Sequence, residues 1–325
     1  MIKYIGKRIL MLIPVLLGVV LLVFSMMYFS PGSAEDYILG DMATEEDKEA
    51  FREENGLNAP FIVQYFNYVK DAVRGDLGIS YTTKQPVADE IFERFPTTFK
   101  LALLSTLWSI VIGITIGIIS AVRQYSILDH VTRLVAMLGV SVPTFWEGLM
   151  LIILFSVQFA LLPSSGFTTW KHWILPSFTV GTHSAATVMR MMRSSMLEAI
   201  RQDYITTAKA KGQTNFIVVT KHALRNAIIP VMTLVGVNFG RLLGGSAITE
   251  IVFSIPGLGN LIIAGIKVKN APLVQGGILV IALAMALCNL IVDVLYAYVD
   301  PRIRSQYVKP RVKLAAAKSA TTEEK

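Results

Sequence analysis

Long stretches without charged residues constrain this chain more than any other feature of its sequence. Six stretches are mostly apolar and close to or above the length of about 20 residues that a helix needs to cross a bilayer. They are residues 9–30, 99–122, 134–161, 173–189, 227–253 and 273–299. Only 16% of the 325 residues are charged, against about 25% in soluble globular chains. The sequence therefore predicts an all-α, polytopic membrane protein with six transmembrane helices.

The first stretch follows three basic residues, a pattern that secretory signal peptides also show. Its apolar run is longer than the ~7–15 residues of a signal peptide, and no small-residue cleavage site ends it. We therefore expect an uncleaved first span within residues 1–30. A disulfide-stabilised secreted fold is excluded, because Cys288 is the only cysteine.

The distribution of charge predicts the orientation of the spans. Residues 31–98, between the first two spans, carry fourteen acidic and six basic side chains. The segments expected on the opposite side are residues 1–8, 123–133, 190–226 and 300–325, with nineteen basic and six acidic side chains. Because Lys and Arg concentrate in cytoplasmic loops, we expect both termini in the cytoplasm and residues 31–98 outside. This scatter of the basic residues over four segments argues against a nucleic-acid surface.

The spans divide the chain into a first helix (1–30), an extracytoplasmic helical segment (31–98), a five-helix permease core (99–299) and a cytoplasmic tail (300–325). Within the extracytoplasmic segment, helical patterns cover residues 43–55 and 61–73, and a turn follows at 75–80. Two roles fit such a segment: a helical cap over the outer mouth, or direct contact with a substrate.

The loop at residues 190–229 has a distinctive pattern on the cytoplasmic side. Helix-forming residues at 196–211 are followed by Gly212 and by a second helical pattern at 215–224. Such an elbow can place a short helix in a groove of a cytosolic partner. The alternative is a basic helix that only rests on lipid headgroups.

Five motifs, in order along the chain, resemble the permeases of ABC importers. They are DYITTAKAKG at 203–212, KHALRNA at 221–227, TEIVF at 249–253 with PGLG at 256–259, NLIVD at 289–293 and DPRIR at 300–304. The resemblance is closest to the dipeptide, oligopeptide and nickel branch, and to its first (B-type) permease subunit, which GLNAP at 56–60 also matches. Thr206 departs from the general importer signature, which has Glu there, but is usual for the peptide branch. Asn270 departs from the branch pattern, and Glu147 occupies a position in the third span that is usually apolar.

The resemblance implies a type I ABC-importer permease fold and a multi-pass protein of a bacterial or archaeal cell (inner) membrane. It also implies a heteromeric complex with a second homologous permease, two cytoplasmic ATPases and an extracellular substrate-binding protein, with peptide as the substrate. The permease would bind no cofactor and would not be an enzyme, because ATP and Mg are used by the ATPases. The sequence agrees, since it lacks a G-x-x-x-x-G-K-[ST] loop. The resemblance assigns ATPase coupling to one loop: Asp203, Tyr204, Thr207, Ala208, Lys211, Gly212, His222 and Arg225.

Four polar residues within the predicted spans are candidates for the translocation path or for buried charges. They are Glu147, His183, Arg241 and Glu250. Glu147 lies 13 residues after Leu134 and Arg241 lies 13 residues after Ile228, hence at similar depth. They therefore form a structural ion pair between the third and fifth helices, make separate polar contacts, or line a cavity that meets the charged ends of a peptide. We expect both to face the interior, with Arg241 at the interface with the second permease.

Three other functions remain as alternatives. A nickel, metallophore or other small-solute importer permease would share the same motifs. An ion-coupled secondary transporter would show inverted repeats, and none is evident. A membrane enzyme would need a catalytic constellation, and the four histidines form no metal-ligand spacing.

Overall fold

The computed structural model describes residues 2–40 and 42–299, and the regular elements of this part of the chain are helices. The predicted tail at 300–325, including the motif at 300–304, lies outside the described residues. The helices are α1 (Ile2–Phe29), α2 (Ala34–Leu39), α3 (Glu45–Glu54), α4 (Phe61–Val73), α5 (Val87–Val122), α6 (Ile127–Ser141), α7 (Thr144–Leu151), α8 (Ile174–Ile200), α9 (Asp203–Ala210), α10 (Asn215–Ile217), α11 (Leu224–Gly245), α12 (Ala247–Val252), α13 (Leu258–Lys267) and α14 (Ala271–Val299). Two π-helical turns, Ile152–Gln158 and Val218–Ala223, extend α7 and join α10 to α11.

Four of the described helices are long and apolar enough to cross a membrane: Arg8–Phe29, Val87–Val122, Asn215–Gly245 and Ala271–Val294. A fifth span is possible if the pair Ile127–Ser141 and Thr144–Gln158, bent by 104°, is taken as one. The protein is thus an all-α membrane protein with four or five spans by length and composition, where the sequence predicted six. The third predicted span, 134–161, is not one straight helix, because the chain turns at Pro143, which has no N–H to continue a helix.

The fourth predicted span, 173–189, falls in α8, which is not apolar enough to pass the same test. The reason is that α8 lies at the centre of the bundle and packs along α5. Polar side chains such as Ser177, Thr179 and Ser184 are buried on it. The Ser177 and Thr179 hydroxyls donate hydrogen bonds to backbone carbonyl oxygens one turn earlier in the chain, at 2.5 and 2.8 Å. A helix surrounded by other helices can be polar where a lipid-facing helix cannot.

Glycines set the separation between α5 and α8. A Cβ on Gly117 would lie 2.7 Å from Met192 Cβ, and one on Gly181 would lie 2.8 Å from the Ser105 carbonyl oxygen. Small residues allow this close approach of the two backbones. Met192 and Met196 are fully buried in a hydrophobic core that also contains Ile205.

The extracytoplasmic segment predicted at 31–98 contains α2, α3, α4 and the first turns of α5. Thr44 and Asp47 form a capping box at the start of α3, and the helix is followed by Gly56, at φ +65°. The α4 bounds match the predicted helix at 61–73. Aromatic rings of α1 and α4 pack together, with Phe24 and Tyr65 centroids 5.8 Å apart.

A buried amide attaches this segment to the turn before α14. Asn270 accepts a hydrogen bond from the Tyr81 N–H at 3.2 Å and donates one to Ser80 Oγ at 2.9 Å. The departure from the family pattern at residue 270 therefore falls on a side chain that joins two segments of the fold.

Substituting Gly117 tests the α5–α8 contact. We expect Gly117→Ala to destabilise the protein by about 1–3 kcal/mol, because the added methyl overpacks a closed interface. Gly18→Ala is the matched control, since nothing lies within 4 Å of a Cβ at Gly18 in α1. The thermal unfolding midpoint in detergent should fall only for Gly117→Ala; equal midpoints for the two variants would contradict the close contact.

Candidate coupling and translocation site

The elbow predicted on the cytoplasmic side consists of α9, Gly212 and α10. Gly212 has φ +77° and nothing within 4 Å of its Cβ position. The turn therefore requires a residue that adopts the left-handed conformation, whereas the space for a side chain is not limiting. The Gly212 N–H donates to the Lys209 carbonyl at 2.9 Å, which completes the helix end. The structure has the predicted helix–glycine–helix order, but its first helix is shorter than 196–211, because the chain breaks at Arg201 and Gln202 between α8 and α9.

One face of α9 packs into the hydrophobic core, and the opposite face is exposed. Ile205 and Ala208 are buried, at 1% and 6% exposure, in the core that contains Met196. Among the residues expected to contact an ATPase, the exposed ones are Asp203, Tyr204, Thr207, Lys211, Gly212 and Arg225. Ala208 differs from that expectation, because it packs inward and holds the elbow against α8.

His222 lies in the π-helical turn after the elbow and is half-buried. Its Nε2 donates to Gln213 Oε1 at 2.6 Å, which ties this turn to the residue after Gly212. The sequence analysis missed Phe216, which is 76% exposed beside the elbow. An exposed phenylalanine in a basic cytoplasmic loop suits an apolar groove on a partner, and its position next to Gly212 was the available signal.

A buried carboxylate close to the elbow was also missed. Asp129 is fully buried and receives Arg193 Nε and Nη2 at 2.7 and 2.9 Å. Ser120 Oγ donates to it at 2.6 Å and the Tyr125 N–H at 3.0 Å. The cluster joins the end of α5, the start of α6 and the end of α8. The capping pattern of Ser126 and Asp129 was visible in the sequence, but the partner on α8 was not.

Glu250 is a buried charge with complete hydrogen bonding, as one of the two readings of the sequence proposed. Its Oε1 accepts from Thr98 Oγ1 at 2.7 Å and from Ser246 Oγ at 3.1 Å. Its Oε2 accepts the Asn260 N–H at 2.8 Å, in the first turn of α13, where a helix dipole favours an anion. Gly257 lies so close that a Cβ there would overlap the carboxylate. The TEIVF and PGLG motifs thus form one hydrogen-bonded turn.

Glu147, His183 and Arg241 are not brought together as an ion-paired group. Glu147 is half-buried on α7 and accepts a hydrogen bond from Thr182 Oγ1 of α8 at 2.6 Å. His183, the next residue on α8, is exposed, and so is Arg241 on α11. Within residues 2–40 and 42–299, no ion pair joins Glu147 to Arg241. The structural ion pair considered from equal depth is therefore wrong for the single chain.

The described residues contain no group of three or more His, Cys, Asp or Glu side chains that could hold a metal ion. The charged groups that the structure does assemble bind each other and helix ends.

Two family models cover almost the whole chain. The binding-protein-dependent transport system inner membrane component matches residues 113–305, and the N-terminal model of the same membrane components matches residues 1–102. The chain belongs to the family of inner membrane components of binding-protein-dependent transport systems.

Relatives and a solved structure agree with this membership. The glutathione transport system permease protein GsiC of Escherichia coli O6:H1 is 43% identical over 304 residues, covering 94% of this chain and 99% of its own length. The dipeptide transport system permease protein DppB of Alkalihalophilus pseudofirmus is 41% identical over 332 residues, covering 94% and 100%. A chain of the inward facing MetNI methionine ABC transporter shares the fold, with a TM-score of 0.52 at 21% identity over 65% of this chain and 96% of its own.

Membership confirms several predictions from the sequence. The chain is a multi-pass permease of the bacterial inner membrane, it resembles the B-type permeases as expected, and it is the membrane component and not the ATPase. A transport system of this kind also implies a complex with an ATPase and a binding protein.

Substitutions in the Asp129 cluster test its structural role. We expect Asp129→Asn to cost about 1–3 kcal/mol of stability, because the Arg193 guanidinium loses a charged partner in a buried position. Arg133→Gln is the control, since Arg133 is exposed and 3.6 Å from the same carboxylate, and an exposed pair contributes at most about 1 kcal/mol. Chemical denaturation in detergent measures both; a larger loss for Arg133→Gln would contradict the assignment.

Proposed function

We propose that this chain is the B-type permease subunit of an ATP-driven importer for di- or oligopeptides, and that it forms half of the translocation path. The observation that carries the proposal is the near end-to-end match to two permeases whose names specify dipeptide and glutathione transport. Both substrates are small peptides with free carboxylates. The other half of the path belongs to a second homologous permease, and two cytoplasmic ATPases use ATP and Mg.

The proposed topology has six spans with both termini in the cytoplasm. The four apolar helices, the bent pair and α8 supply the six. At about 1.5 Å of rise per residue, the 27 residues of α8 extend about 40 Å, enough to cross a hydrocarbon core of about 30 Å. The acidic segment at 31–98 then lies outside and the elbow inside.

The elbow is proposed as the docking element for the ATPase. Its exposed face offers Tyr204 and Lys211, and Phe216 adds an apolar side chain that a groove can enclose. Because Ile205 is packed into the core shared by α5 and α8, movement of the elbow is passed to these helices. ATP-dependent closure of the ATPases would then shift the population between inward-open and outward-open states.

Glu147, His183 and Arg241 are proposed to face the translocation path or the second permease. An arginine at mid-membrane is costly in contact with lipid, so it normally faces a partner or water. Arg241 is exposed in the single chain, as expected for a residue that contacts a second permease in the assembled complex. Glu250 is proposed as a structural carboxylate and not as a path residue, because its described hydrogen bonds join Thr98 of α5, Ser246 and the first turn of α13.

Replacing Gly212 tests the coupling role. We expect Gly212→Val to lower ATP-dependent uptake at least tenfold and to abolish stimulation of ATP hydrolysis, because valine at φ +77° distorts the elbow. Gly212→Asn should retain activity, since asparagine tolerates this conformation. Gly75→Val is the matched control, at φ +88° on the outer segment. Unchanged transport in Gly212→Val would overturn the coupling role.

The uptake assay also identifies the substrate class. The panel contains dipeptides, longer peptides, glutathione and nickel, supplied with the cognate binding protein. Peptide uptake without nickel uptake supports the proposal, and nickel uptake alone would replace it with the small-solute alternative.

Single cysteines test the topology. In a Cys288→Ser background, an impermeant thiol reagent added to intact cells should label Met42→Cys, because Met42 is 97% exposed on the outer segment. It should not label Lys209→Cys on the elbow until the cells are opened. The reverse pattern would invert the proposed orientation.

A further inference from the structure

A cavity of about 490 Å³ lies between the extracytoplasmic helices and the outer ends of α1 and α14. Its volume is within the range of about 300–1,000 Å³ typical of small-molecule sites. Tyr28 of α1, Tyr68 of α4 and Lys269 are among its lining residues. The cavity is built by the outer segment and is distinct from the elbow and from the residues proposed for the translocation path.

Two polar side chains in its lining end in buried atoms that have no protein partner. Tyr68 Oη and Lys269 Nζ are both inaccessible, and no described residue offers either of them a hydrogen bond. A buried ammonium is costly unless an acceptor, preferably an anionic one, is present. Burial also raises the pKa of the Tyr68 phenol, so its hydroxyl stays protonated near neutral pH. Both unpartnered groups are therefore hydrogen-bond donors.

The remaining charges leave the cavity positive. Glu35 is buried and its Oε1 accepts Arg52 Nε at 2.6 Å, so these two lining residues neutralise each other. Lys269 has no such counterpart among the described residues. Ala271 and Pro272, the first two residues of α14, also line the cavity, and the start of a helix carries partial positive charge. The site therefore matches an anion that accepts hydrogen bonds.

We propose that this cavity is an extracytoplasmic binding site for a small carboxylate-bearing ligand, held by Lys269 and Tyr68. A carboxylate supplies the negative charge that Lys269 lacks, and it has enough acceptor positions for both donors. The ligand's carboxylate could be the C-terminus of a peptide or belong to a non-peptide acid. The site goes beyond transport itself, because it requires neither ATP nor movement of the elbow.

Binding can be measured by saturation-transfer NMR on the full-length chain with its co-purifying subunits, in lipid nanodiscs, without ATP or added binding protein. The probes are Ala-Ala, its C-terminal amide and glutarate. We expect Ala-Ala to bind at least tenfold more tightly than its amide. Lys269→Met should weaken Ala-Ala binding roughly tenfold or more, because a charge-assisted hydrogen bond is lost. Tyr68→Phe should weaken it several-fold.

Matched controls separate this site from others. Lys267→Met removes an exposed lysine two residues away, and Tyr65→Phe removes a hydroxyl that is 3.3 Å from the Leu17 carbonyl oxygen; both should bind Ala-Ala normally. If Lys269→Met does not fold, Lys269→Gly replaces it, because glycine suits the φ of +56° at this position.

Each outcome has a defined meaning. Binding of Ala-Ala and glutarate alike supports a general carboxylate site, and binding of Ala-Ala alone supports a site for peptide termini. Equal binding of Ala-Ala and its amide, unchanged affinity in the Lys269 variants, or no binding of any probe would overturn the proposal. Because no transport is measured, these results are independent of whether the chain imports peptides.

Discussion

The close packing of α5 against α8 is the contact on which the rest of the molecule depends. Gly117 and Gly181 let the two backbones approach to distances that a single added methyl would prevent. In a bilayer, helices associate through such packing and through interhelical hydrogen bonds, because lipid chains supply little hydrophobic driving force. The elbow, the bent pair and α11 are all positioned by contact with this central unit.

Two buried carboxylates bind α5 at separate points. Thr98 donates to Glu250, and Ser120, near the end of the helix, donates to Asp129. These two α5 residues are 22 positions apart, or about 33 Å at 1.5 Å per residue, close to the thickness of a hydrocarbon core. Each carboxylate is enclosed by donors, which is the condition under which a buried charge is tolerated. The central helix is thus held at two points by polar contacts and between them by close packing.

The elbow packs directly against α8. Ile205 and Ala208 insert into the core beside Met192 and Met196, while Arg193, on the same helix as those methionines, binds Asp129. The elbow and the Asp129 cluster therefore both contact the last turns of α8. The extracytoplasmic segment is attached separately, through the α1 aromatic rings and through Asn270 of the turn before α14.

Sequence reasoning was accurate where the relevant physics is local. The α4 bounds and the glycine at the elbow followed from periodicity and from the backbone freedom of one residue. It was less accurate for the extent of α8, which continues to Ile200 where the predicted span ends at residue 189, because the polar last turns pack against other parts of the protein. Equal depth suggested that Glu147 and Arg241 pair. The rise per residue gives the position of a side chain along the helix axis, but it does not give the direction in which the side chain points. Their side chains diverge, with Glu147 bonded to Thr182 and Arg241 exposed.

The sequence by itself determined the family, the helical membrane architecture and the position of the helix–glycine–helix elbow, because these depend on composition, on charge placement and on short motifs. Only the tertiary structure decided what the buried polar groups do. Asp129 pairs with Arg193 and Glu250 caps the start of α13, and each partnership joins residues that are ten to more than sixty positions apart in the chain. The cavity beside Lys269 likewise draws its lining from α1, α4 and α14. Such contacts arise only when the helices pack, and no local pattern specifies them.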